Sequence, residues 1–193
     1  MIVAGPNGSG KTSLFQTTII EDFGRAVWII NPDVLAARIQ DIERVSGKAA
    51  NLQAVKRIES WLKISIASHQ TIGVETVLST AKYRKLVRAA KKLKFKIALF
   101  YVILSSPGLH VARVRLRVEK GGHHVVKSKI LARRARSLSQ LPWFLREADE
   151  AWMYDNSGEN PRLIGRKKEG TVFLDPDALP EIREAVRKAV KPR

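Results

Sequence analysis

The sequence has 193 residues, of which 45% are hydrophobic, and it contains no cysteine. This composition fits one globular domain spanning residues 1–193, and it excludes a disulfide framework, a thiolate metal site and a cysteine nucleophile. No apolar run approaches the roughly 20 residues of a membrane span, and Met1 directly precedes the first predicted strand. We therefore expect a cytoplasmic protein without a signal peptide and without a membrane partner.

Positive charge is concentrated in two stretches of the chain. The formal net charge is +17, from 35 basic and 18 acidic residues. Residues 82–96 contain eight basic residues and no acidic one, and residues 110–136 contain nine basic residues against Glu119 alone. Such a local positive field predicts an anionic partner, which is a nucleotide, a phosphorylated substrate or a nucleic acid.

A phosphate-binding loop follows the first predicted strand. The apolar residues 1–4 lead directly into a G-x-x-x-x-G-K-T motif at residues 5–12. Glycines let successive backbone N–H groups turn toward an anion, and the helix that follows adds the positive end of its dipole. The motif predicts that Lys11 reaches the outer phosphates of ATP and that the Thr12 hydroxyl ligates Mg²⁺. The residues predicted to bind the nucleotide here are Gly5, Pro6, Asn7, Gly8, Ser9, Gly10, Lys11, Thr12 and Ser13.

Strands and helices alternate along the rest of the chain. We predict further strands at 26–30, 71–74, 95–104 and 152–154, and a hairpin formed by 163–165 and 171–174 around residues 167–170. Helices are predicted at 33–45, 49–67, 80–93, 107–148 with an interruption at Gly121 and Gly122, and 176–190. Alternation of this kind favours a parallel sheet. The predicted fold is a three-layer α/β P-loop NTPase or kinase fold with a mainly parallel sheet and a basic helical lid at about 108–148.

Two carboxylates follow predicted strands at the edge of the sheet where the phosphate loop lies. Ligands of open parallel sheets bind beyond the carboxyl ends of the strands, so Asp33 and Glu75 should converge on the loop. Asp33 is a candidate general base for an attacking hydroxyl, with capping of the next helix as its alternative role. Glu75 is expected to orient a substrate hydroxyl or a Mg²⁺-bound water, or else to form a structural salt bridge.

The lid region supplies candidate arginines for phosphoryl transfer. No acidic residue lies within the predicted strand at 95–104, so this strand lacks the metal-holding carboxylate typical of many ATPases and GTPases. That absence favours a small-molecule kinase, in which lid arginines neutralise charge on the transferring group. Arg113 and Arg117 share one helix face, and Arg133 and Arg136 share another.

Two other sets of polar residues, one in the lid turn and one after the last predicted parallel strand, indicate a function less specifically. His123 and His124 follow the predicted hinge, and we expect them to pack or hydrogen-bond in the lid turn rather than bind a metal, because no third ligand has a suitable spacing. Asp155, Asn156 and Ser157 follow the last predicted parallel strand. They are expected either to meet the adenine or ribose of a nucleotide or simply to form the loop.

Several motifs together resemble the zeta toxin family. They are GPNGSGKT at 5–12, NPD at 31–33, ETVLS at 75–79, the arginines at 113 and 117 before GGH at 121–123, IxxRxxRSL at 130–138 and YDNS at 154–157. The resemblance covers nearly the whole chain, from residue 1 to about 165. Members of this family are P-loop kinases, of which the best known phosphorylate the amino sugar of UDP-N-acetylglucosamine with ATP, and some are toxins restrained by an antitoxin protein.

The resemblance implies a role for each matching residue. Lys11 would bind phosphate, Thr12 would ligate Mg²⁺, and Asp33 would be the base. Glu75 and Thr76 would bind the substrate. Arg117 and Arg133 would stabilise charge on the transferring phosphoryl group, while Arg113 and Arg136 would contact the nucleotide. The expected ligands are therefore ATP, Mg²⁺ and a hydroxyl-bearing small molecule such as a UDP-sugar, with an antitoxin as a further partner to test.

Two other functions remain open from the residues alone. One is a polynucleotide or RNA kinase in which the basic stretch 82–96 follows a phosphate backbone. The other is a non-catalytic nucleotide-binding module whose basic face docks an acidic antitoxin.

Overall fold

A seven-stranded sheet flanked by helices forms the protein. The computed structural model describes residues 1–17, 29–122 and 124–190. In chain order the elements are β1 (Ile2–Ala4), α1 (Lys11–Thr17), β2 (Ile29–Ile30), α2 (Pro32–Glu43), α3 (Gly47–Ala67), β3 (Gly73–Thr76), α4 (Tyr83–Lys92), β4 (Ala98–Ile103), α5 (Pro107–Glu119), α6 (Lys127–Glu147), β5 (Glu150–Asp155), β6 (Arg162–Lys168), β7 (Thr171–Leu174) and α7 (Pro180–Val190).

The strand order is β2-β3-β1-β4-β5-β6-β7. The first five strands of this order pair in parallel, and β6 and β7 add an antiparallel edge. Ala4, the last residue of β1, lies opposite Thr76 of β3 and Tyr101 of β4. The carboxyl ends of β1 and β3 thus open onto the same edge of the sheet, directly above which the phosphate-binding loop begins.

The two faces of β4 belong to two different apolar clusters. Leu99, Tyr101 and Ile103 pack in the main core with residues of α3, α4, α6 and α7, whereas Phe100 stacks on Trp152 on the opposite face with ring centroids 4.5 Å apart. All six residues of β4 are buried, as expected for a central parallel strand covered on both faces. The predicted α/β fold with a mainly parallel sheet is confirmed. Within the part of the chain that the structure describes, no helix is long and apolar enough to cross a membrane.

Several boundaries differ from the predicted ones for local reasons. Helix α2 begins at Pro32, and its N-cap is Asn31, whose side chain accepts hydrogen bonds from the N–H groups of Asp33 and Val34. The alternative role given for Asp33, capping of this helix, is therefore wrong. Pro32 occupies the first helical position, so the cap is the residue before it, Asn31.

The other differences are small. Helix α4 begins at Tyr83 rather than residue 80, and the two lid helices α5 and α6 are separated by residues 120–126 rather than by the two glycines alone. The final helix begins at Pro180 rather than 176, and the predicted hairpin is confirmed with its turn at residues 169–170. Residues 26–28 of the strand predicted at 26–30, and His123, fall outside the described residues.

Candidate active site

The phosphate-binding loop adopts a backbone that only glycine fits at two positions. Gly5 has φ +148°, and a Cβ there would lie 2.0 Å from the carbonyl oxygen of Val102 on β4. Gly10 has φ +85°, and its Cβ would lie 2.2 Å from Nδ2 of Asn156. Both positions need a left-handed or otherwise unusual backbone and also lack room for a side chain. The motif therefore specifies the shape of the loop through sterics as well as through its polar groups.

Two buried side chains hold the backbone of the loop in place. Nδ2 of Asn156 donates a hydrogen bond to the carbonyl oxygen of Ser9 at 2.9 Å. Nδ1 of His110 lies 2.9 Å from the carbonyl oxygen of Asn7, while Nε2 of His110 accepts the N–H of Leu104 at 3.3 Å. Since Nε2 is the acceptor, Nδ1 carries the proton and donates it to Asn7. The loop is thus tied to the ends of β4 and β5.

Burial keeps the His110 imidazole neutral. Its side chain is fully buried, and desolvation lowers its pKa from the usual 6.5 to about 4. The hydrogen bond to Asn7 raises the pKa, but Arg134, Lys11 and Arg113 add positive charge that lowers it further. A neutral ring is the form that can donate at one nitrogen and accept at the other, so the electrostatics agree with the hydrogen bonds.

Lys11 lies folded against its own loop. Its Nζ donates to the carbonyl oxygens of Gly5 at 2.9 Å and Pro6 at 3.1 Å, and it lies 3.9 Å from Oε1 of Glu75. Burial lowers the pKa of Lys11, the negative charges of Glu75 and Asp33 raise it, and Arg117 lowers it. A cation held against the loop carbonyls and beside the Glu75 carboxylate is well placed to exchange these contacts for phosphate oxygens.

Glu75 joins three residues of the site. Its Oε2 accepts hydrogen bonds from Oγ1 of Thr12 at 3.1 Å and from Nδ2 of Asn31 at 2.9 Å. The carboxylate thus lies beside the two loop residues predicted to bind phosphate and metal. Strand β1 lies between β3 and β4, and it is β3 that supplies a carboxylate next to the Thr12 hydroxyl. The lack of an acidic residue in β4 therefore does not mean that the site lacks a carboxylate at this position.

Asp33 lies in the first turn of α2 with its side chain exposed. Because Asn31 caps the helix, the Asp33 carboxylate is not used for that purpose. Its negative charge raises the pKa of both Lys11 and Arg133. The charge of Asp33 therefore acts both on the phosphate loop and on helix α6.

A cavity of about 700 Å³ lies above the loop. Its walls come from the loop and start of α1, from α5 and the residue after it, and from the connection 156–161 after β5. Arg113, Arg117 and Lys120 contribute positive charge to its lining. Arg113 also donates to the carbonyl oxygens of Ser157 and Gly158 at 3.4 Å, which joins α5 to the connection after β5. A separate, mainly aliphatic cavity of about 290 Å³ between α3, α4 and the N-terminal ends of the strands lacks this convergence of polar groups.

The second arginine pair lies on α6, and Arg133 is the member that contacts the loop. Nη1 of Arg133 donates to Oδ1 of Asn7 at 3.3 Å. Burial lowers the pKa of Arg133, Asp33 raises it, and the neighbouring Arg136 lowers it. Arg136 is itself exposed. The adjacent Arg134 is 6% exposed, pairs with Glu181 of α7 at 2.9 Å and donates to the carbonyl oxygen of Leu104 at 3.4 Å, so this arginine anchors α6 to α7 and to the residue after β4.

Thr76 and Ser13 are the remaining predicted site residues, and Thr76 makes backbone and side-chain hydrogen bonds within the protein. The carbonyl oxygen of Thr76 accepts the N–H of Gly5 at 3.2 Å, and its Oγ1 accepts the N–H of Leu78 at 3.0 Å. Leu78 is buried and has φ +57°, an unusual conformation for leucine that this hydrogen bond supports. Ser13 is exposed on the first turn of α1 and lines the cavity.

Sequence reasoning missed three residues that shape the site, which are Asn31, His110 and Lys120. Asn156 was expected to meet the nucleotide or simply to form the loop, and the structure shows that it donates to the carbonyl oxygen of Ser9. An Asn-Pro pair before a helix is a recognisable cap signal that could have identified Asn31. No local pattern marks His110, because its partner Asn7 lies 103 residues away along the chain.

A family model described as AAA domain matches residues 1–141. An uncharacterized protein of Haemophilus influenzae is 26% identical over 125 residues, which are 64% of this chain and 83% of that protein.

Two sets of solved structures share the fold. Chains from crystal structures of AvrRxo1-ORF1:AvrRxo1-ORF2, one with sulphate ions and one with ATP, match with a TM-score of 0.69 and 14% identity over 100% of this chain. This chain spans only 65% and 64% of their respective lengths. A chain from the PezAT chromosomal toxin–antitoxin system of Streptococcus pneumoniae matches with a TM-score of 0.62 and 14% identity, covering 97% of this chain and 83% of that one. The resemblance expected from the motifs is confirmed at the level of the fold.

Proposed function

Because this chain belongs to the family described as AAA domain, and its phosphate loop contacts Glu75 and Arg133, we propose that it is an ATP-dependent phosphotransferase. It would transfer the γ-phosphoryl group of ATP to a hydroxyl group of a small substrate. The observation that carries this proposal is the cluster at the loop, where Lys11 lies 3.9 Å from Glu75 and the Thr12 hydroxyl donates to the same carboxylate. The charge of Asp33 raises the pKa of both Lys11 and Arg133, which supports its assignment as the base.

The loop fits the phosphates of a nucleotide. Ser9 is buried, and its Oγ makes no hydrogen bond to any described residue. Buried polar groups are usually hydrogen-bonded, so this hydroxyl is available to a phosphate oxygen. A Cβ at Gly5 or Gly10 would collide with neighbouring atoms, so glycine is what lets the loop backbone pass close to them. Lys11 would exchange its contacts with the carbonyl oxygens of Gly5 and Pro6 for phosphate oxygens.

The oxygen atoms near the loop also fit Mg²⁺. The Thr12 hydroxyl and the Glu75 carboxylate, 3.1 Å apart, form an oxygen pair of the kind that Mg²⁺ prefers. When bound, Mg²⁺ would neutralise charge on the phosphate oxygens. In this proposal the Thr12 hydroxyl and the Glu75 carboxylate would hold the ion, while Asn31 donates to Glu75 and keeps that carboxylate beside the loop.

Asp33 would act on the acceptor. Its carboxylate takes the proton of the attacking hydroxyl while the hydroxyl oxygen forms a bond to the γ-phosphorus and the bond from that phosphorus to the oxygen of the β-phosphate breaks. ADP and a phosphate ester are the products. Arg133, and Arg117 from the lid, would stabilise the charge on the transferring group, while Arg113 and Arg136 would contact the nucleotide.

A UDP-activated amino sugar is the first acceptor to test, because the motifs resemble those of the zeta toxin family. An antitoxin is a partner to test for the same reason, since the PezAT match comes from a toxin–antitoxin system. The chain covers about two thirds of the matched AvrRxo1 chains, so partners and substrates are proposed here for this chain alone.

The proposal is tested by incubating the protein with ATP, Mg²⁺ and UDP-N-acetylglucosamine or a panel of other hydroxyl-bearing metabolites. We expect ADP and a phosphorylated acceptor, separated by chromatography and identified by mass. Lys11→Ala should lower the rate by on the order of 10³-fold, because it removes a cation from the transferring phosphates. Nucleotide binding without ADP formation above the Lys11→Ala background for every acceptor would overturn the proposal in favour of a non-catalytic module.

A further inference from the structure

A basic surface on and after helix α4 has no role in the proposed reaction. No acidic residue occurs in the sequence between Glu75 and Glu119. The α4 basic surface consists of the cationic residues Lys82, Arg84, Lys85, Arg88, Lys92, Lys94 and Lys96. Tyr83, Val87 and Ala90 form the buried side of the helix, which leaves the cationic side chains on its outer side.

Part of this surface is held against helix α6. The guanidinium carbons of Arg84 and Arg88 lie 5.0 Å and 5.6 Å from the centre of the Trp143 ring. Lys91, beside them, lies 3.4 Å from a carboxylate oxygen of Glu147. These contacts fix the position of α4 and orient two guanidinium groups without neutralising them.

The outer lysines are not neutralised in this way. Lys85, Lys92 and Lys94 are exposed, and none of them has a carboxylate within 4.0 Å among the described residues. Lysines without partners repel one another and carry a cost in conformational freedom when ordered. An anionic partner with regularly spaced charges would remove that repulsion.

The chemistry of the surface favours a phosphate backbone over an acidic protein. Protein interfaces are centred on exposed aromatic or apolar side chains and are poor in lysine. Here Tyr83 and Trp143 are 3% and 6% exposed, Phe95 stacks on His69, and within residues 82–96 Leu93 is the single large hydrophobic side chain that is exposed. The same engagement of the aromatic rings argues against a single strand, whose binding uses aromatic rings as stacking platforms.

We propose that the α4 basic surface binds the phosphate backbone of a nucleic-acid duplex without reading its sequence. Helix α4 has 10 residues and is therefore about 15 Å long, which spans several phosphates of a duplex that carries one charge per about 1.7 Å of its axis. About three contacts from the outer lysines would give a salt dependence with a slope near −3 in a plot of log K against log salt. This interaction is separate from catalysis and does not depend on the proposed kinase activity.

The test measures binding of a fluorescent 24-base-pair DNA duplex by anisotropy at 50 to 200 mM salt, with saturating ATP to occupy the cavity. The variant is Lys85→Gln/Lys92→Gln/Lys94→Gln. The matched control is Arg38→Gln/Arg44→Gln/Lys48→Gln, which removes the same three positive charges from exposed positions near α2. An RNA duplex of the same sequence, the single strands and poly-glutamate are further probes.

We expect the unchanged protein to bind the duplex with an affinity that falls as the salt concentration rises. In the α4 variant the affinity at 50 mM salt should fall on the order of tenfold, and the magnitude of the slope of log K against log salt should fall by about three. The control variant should behave like the unchanged protein. Binding of either duplex in this pattern supports the proposal. Equal losses in both variants, tighter binding of single strands or poly-glutamate than of duplexes, or no duplex binding at 50 mM salt would each overturn it. ADP formation should be unchanged in the α4 variant, so a failed kinase assay and a failed binding assay can be told apart.

Discussion

His110 and Asn7 are joined across the molecule by a buried hydrogen bond in which Nδ1 of the histidine lies 2.9 Å from the carbonyl oxygen of the loop residue. The same ring accepts the N–H of Leu104 at the end of β4. A neutral imidazole makes both contacts at once, whereas a protonated ring would present a second donor to the N–H of Leu104. The phosphate loop is therefore held by a group whose charge state depends on pH.

We predict that His110 makes the protein less stable in acid. The pKa of His110 is about 4 in the folded state, below its usual value of 6.5. As the pH falls below 6.5, the unfolded chain takes up a proton that the folded chain does not, so the free energy of unfolding falls until the pH reaches about 4. Between pH 7 and pH 4.5 the loss from this group should be about 2 kcal/mol.

Urea denaturation at pH 7 and pH 4.5 checks this prediction. His110→Asn should be less stable than the unchanged protein at pH 7, because buried hydrogen bonds are lost, but the difference should shrink in acid. His124→Asn is the control, since that histidine is exposed. An acid-induced loss that is identical in His110→Asn and the unchanged protein would contradict the assignment of the titrating group.

A second prediction concerns the close approach of Gly10 to Asn156. Gly10→Ala combines strain at φ +85° with a Cβ 2.2 Å from Nδ2 of Asn156, so we expect it to destabilise the protein by about 1 to 3 kcal/mol and to weaken nucleotide binding. Gly170→Ala is a matched control, because Gly170 has φ +80° with nothing within 4 Å of a Cβ. The difference between the two variants isolates the collision from the backbone strain.

A double-mutant cycle extends this test. Asn156→Ala alone leaves the carbonyl oxygen of Ser9 without its donor, which should cost about 1 to 3 kcal/mol. In the double variant with Gly10→Ala, the atom that the new Cβ would strike is absent. The loss of unfolding free energy in the double variant should therefore be smaller than the sum of the losses in the two single variants. Unfolding free energies from urea titrations measure this coupling, and strict additivity would show that the two residues do not collide.

The sequence was most informative where a single segment determines the structure. The phosphate loop, the central strand β4 and the hairpin β6–β7 all follow from local spacing and polarity. The partner of Thr12 could not be predicted in the same way, because the contact with Glu75 requires β3 to lie beside β1. Strand order depends on how helices cover the sheet, and no short pattern encodes it.

A competition between similar side chains explains the error at α2. Asn31 and Asp33 both suit a helix cap, and the choice between them depends on where Pro32 fits. Once Asn31 takes that role, the Asp33 carboxylate makes no hydrogen bond to any residue that the structure describes. The correction therefore strengthens the reason to test Asp33 as the base.

The third prediction separates the roles of the two carboxylates. Asp33→Asn should lower kcat by about 10²- to 10⁴-fold with nucleotide affinity little changed, because a general base acts on the acceptor alone. Glu75→Gln should instead raise the Mg²⁺ concentration needed for half-maximal nucleotide binding by about tenfold or more, since its charge lies beside Thr12. Titration of a fluorescent ATP analogue at several Mg²⁺ concentrations, together with ADP formation rates, measures both. Equal effects of the two substitutions on Mg²⁺ dependence would contradict the division of roles.

The last prediction concerns the two arginines of α6 that were predicted to act on the phosphates. Arg133 donates to Asn7 and its pKa is raised by the charge of Asp33, whereas Arg136 is exposed one turn away. Arg133→Gln should lower kcat by about 10²- to 10³-fold while ATP affinity stays within about threefold, because the interaction forms fully only as charge develops on the transferring group. Arg133→Lys should recover only part of this loss, since an ammonium cannot contact two oxygens in the geometry of a guanidinium.

Arg136→Gln provides the comparison on the same helix. As a nucleotide contact it should raise the KM for ATP with a smaller change in kcat, because uniform binding affects substrate and transition state alike. Steady-state kinetics of the three variants with one acceptor distinguish these patterns. If Arg133→Gln raised only the KM for ATP while Arg136→Gln lowered kcat, the two arginines would have exchanged roles, and the charge acting on the transferring group would come from the exposed side of α6.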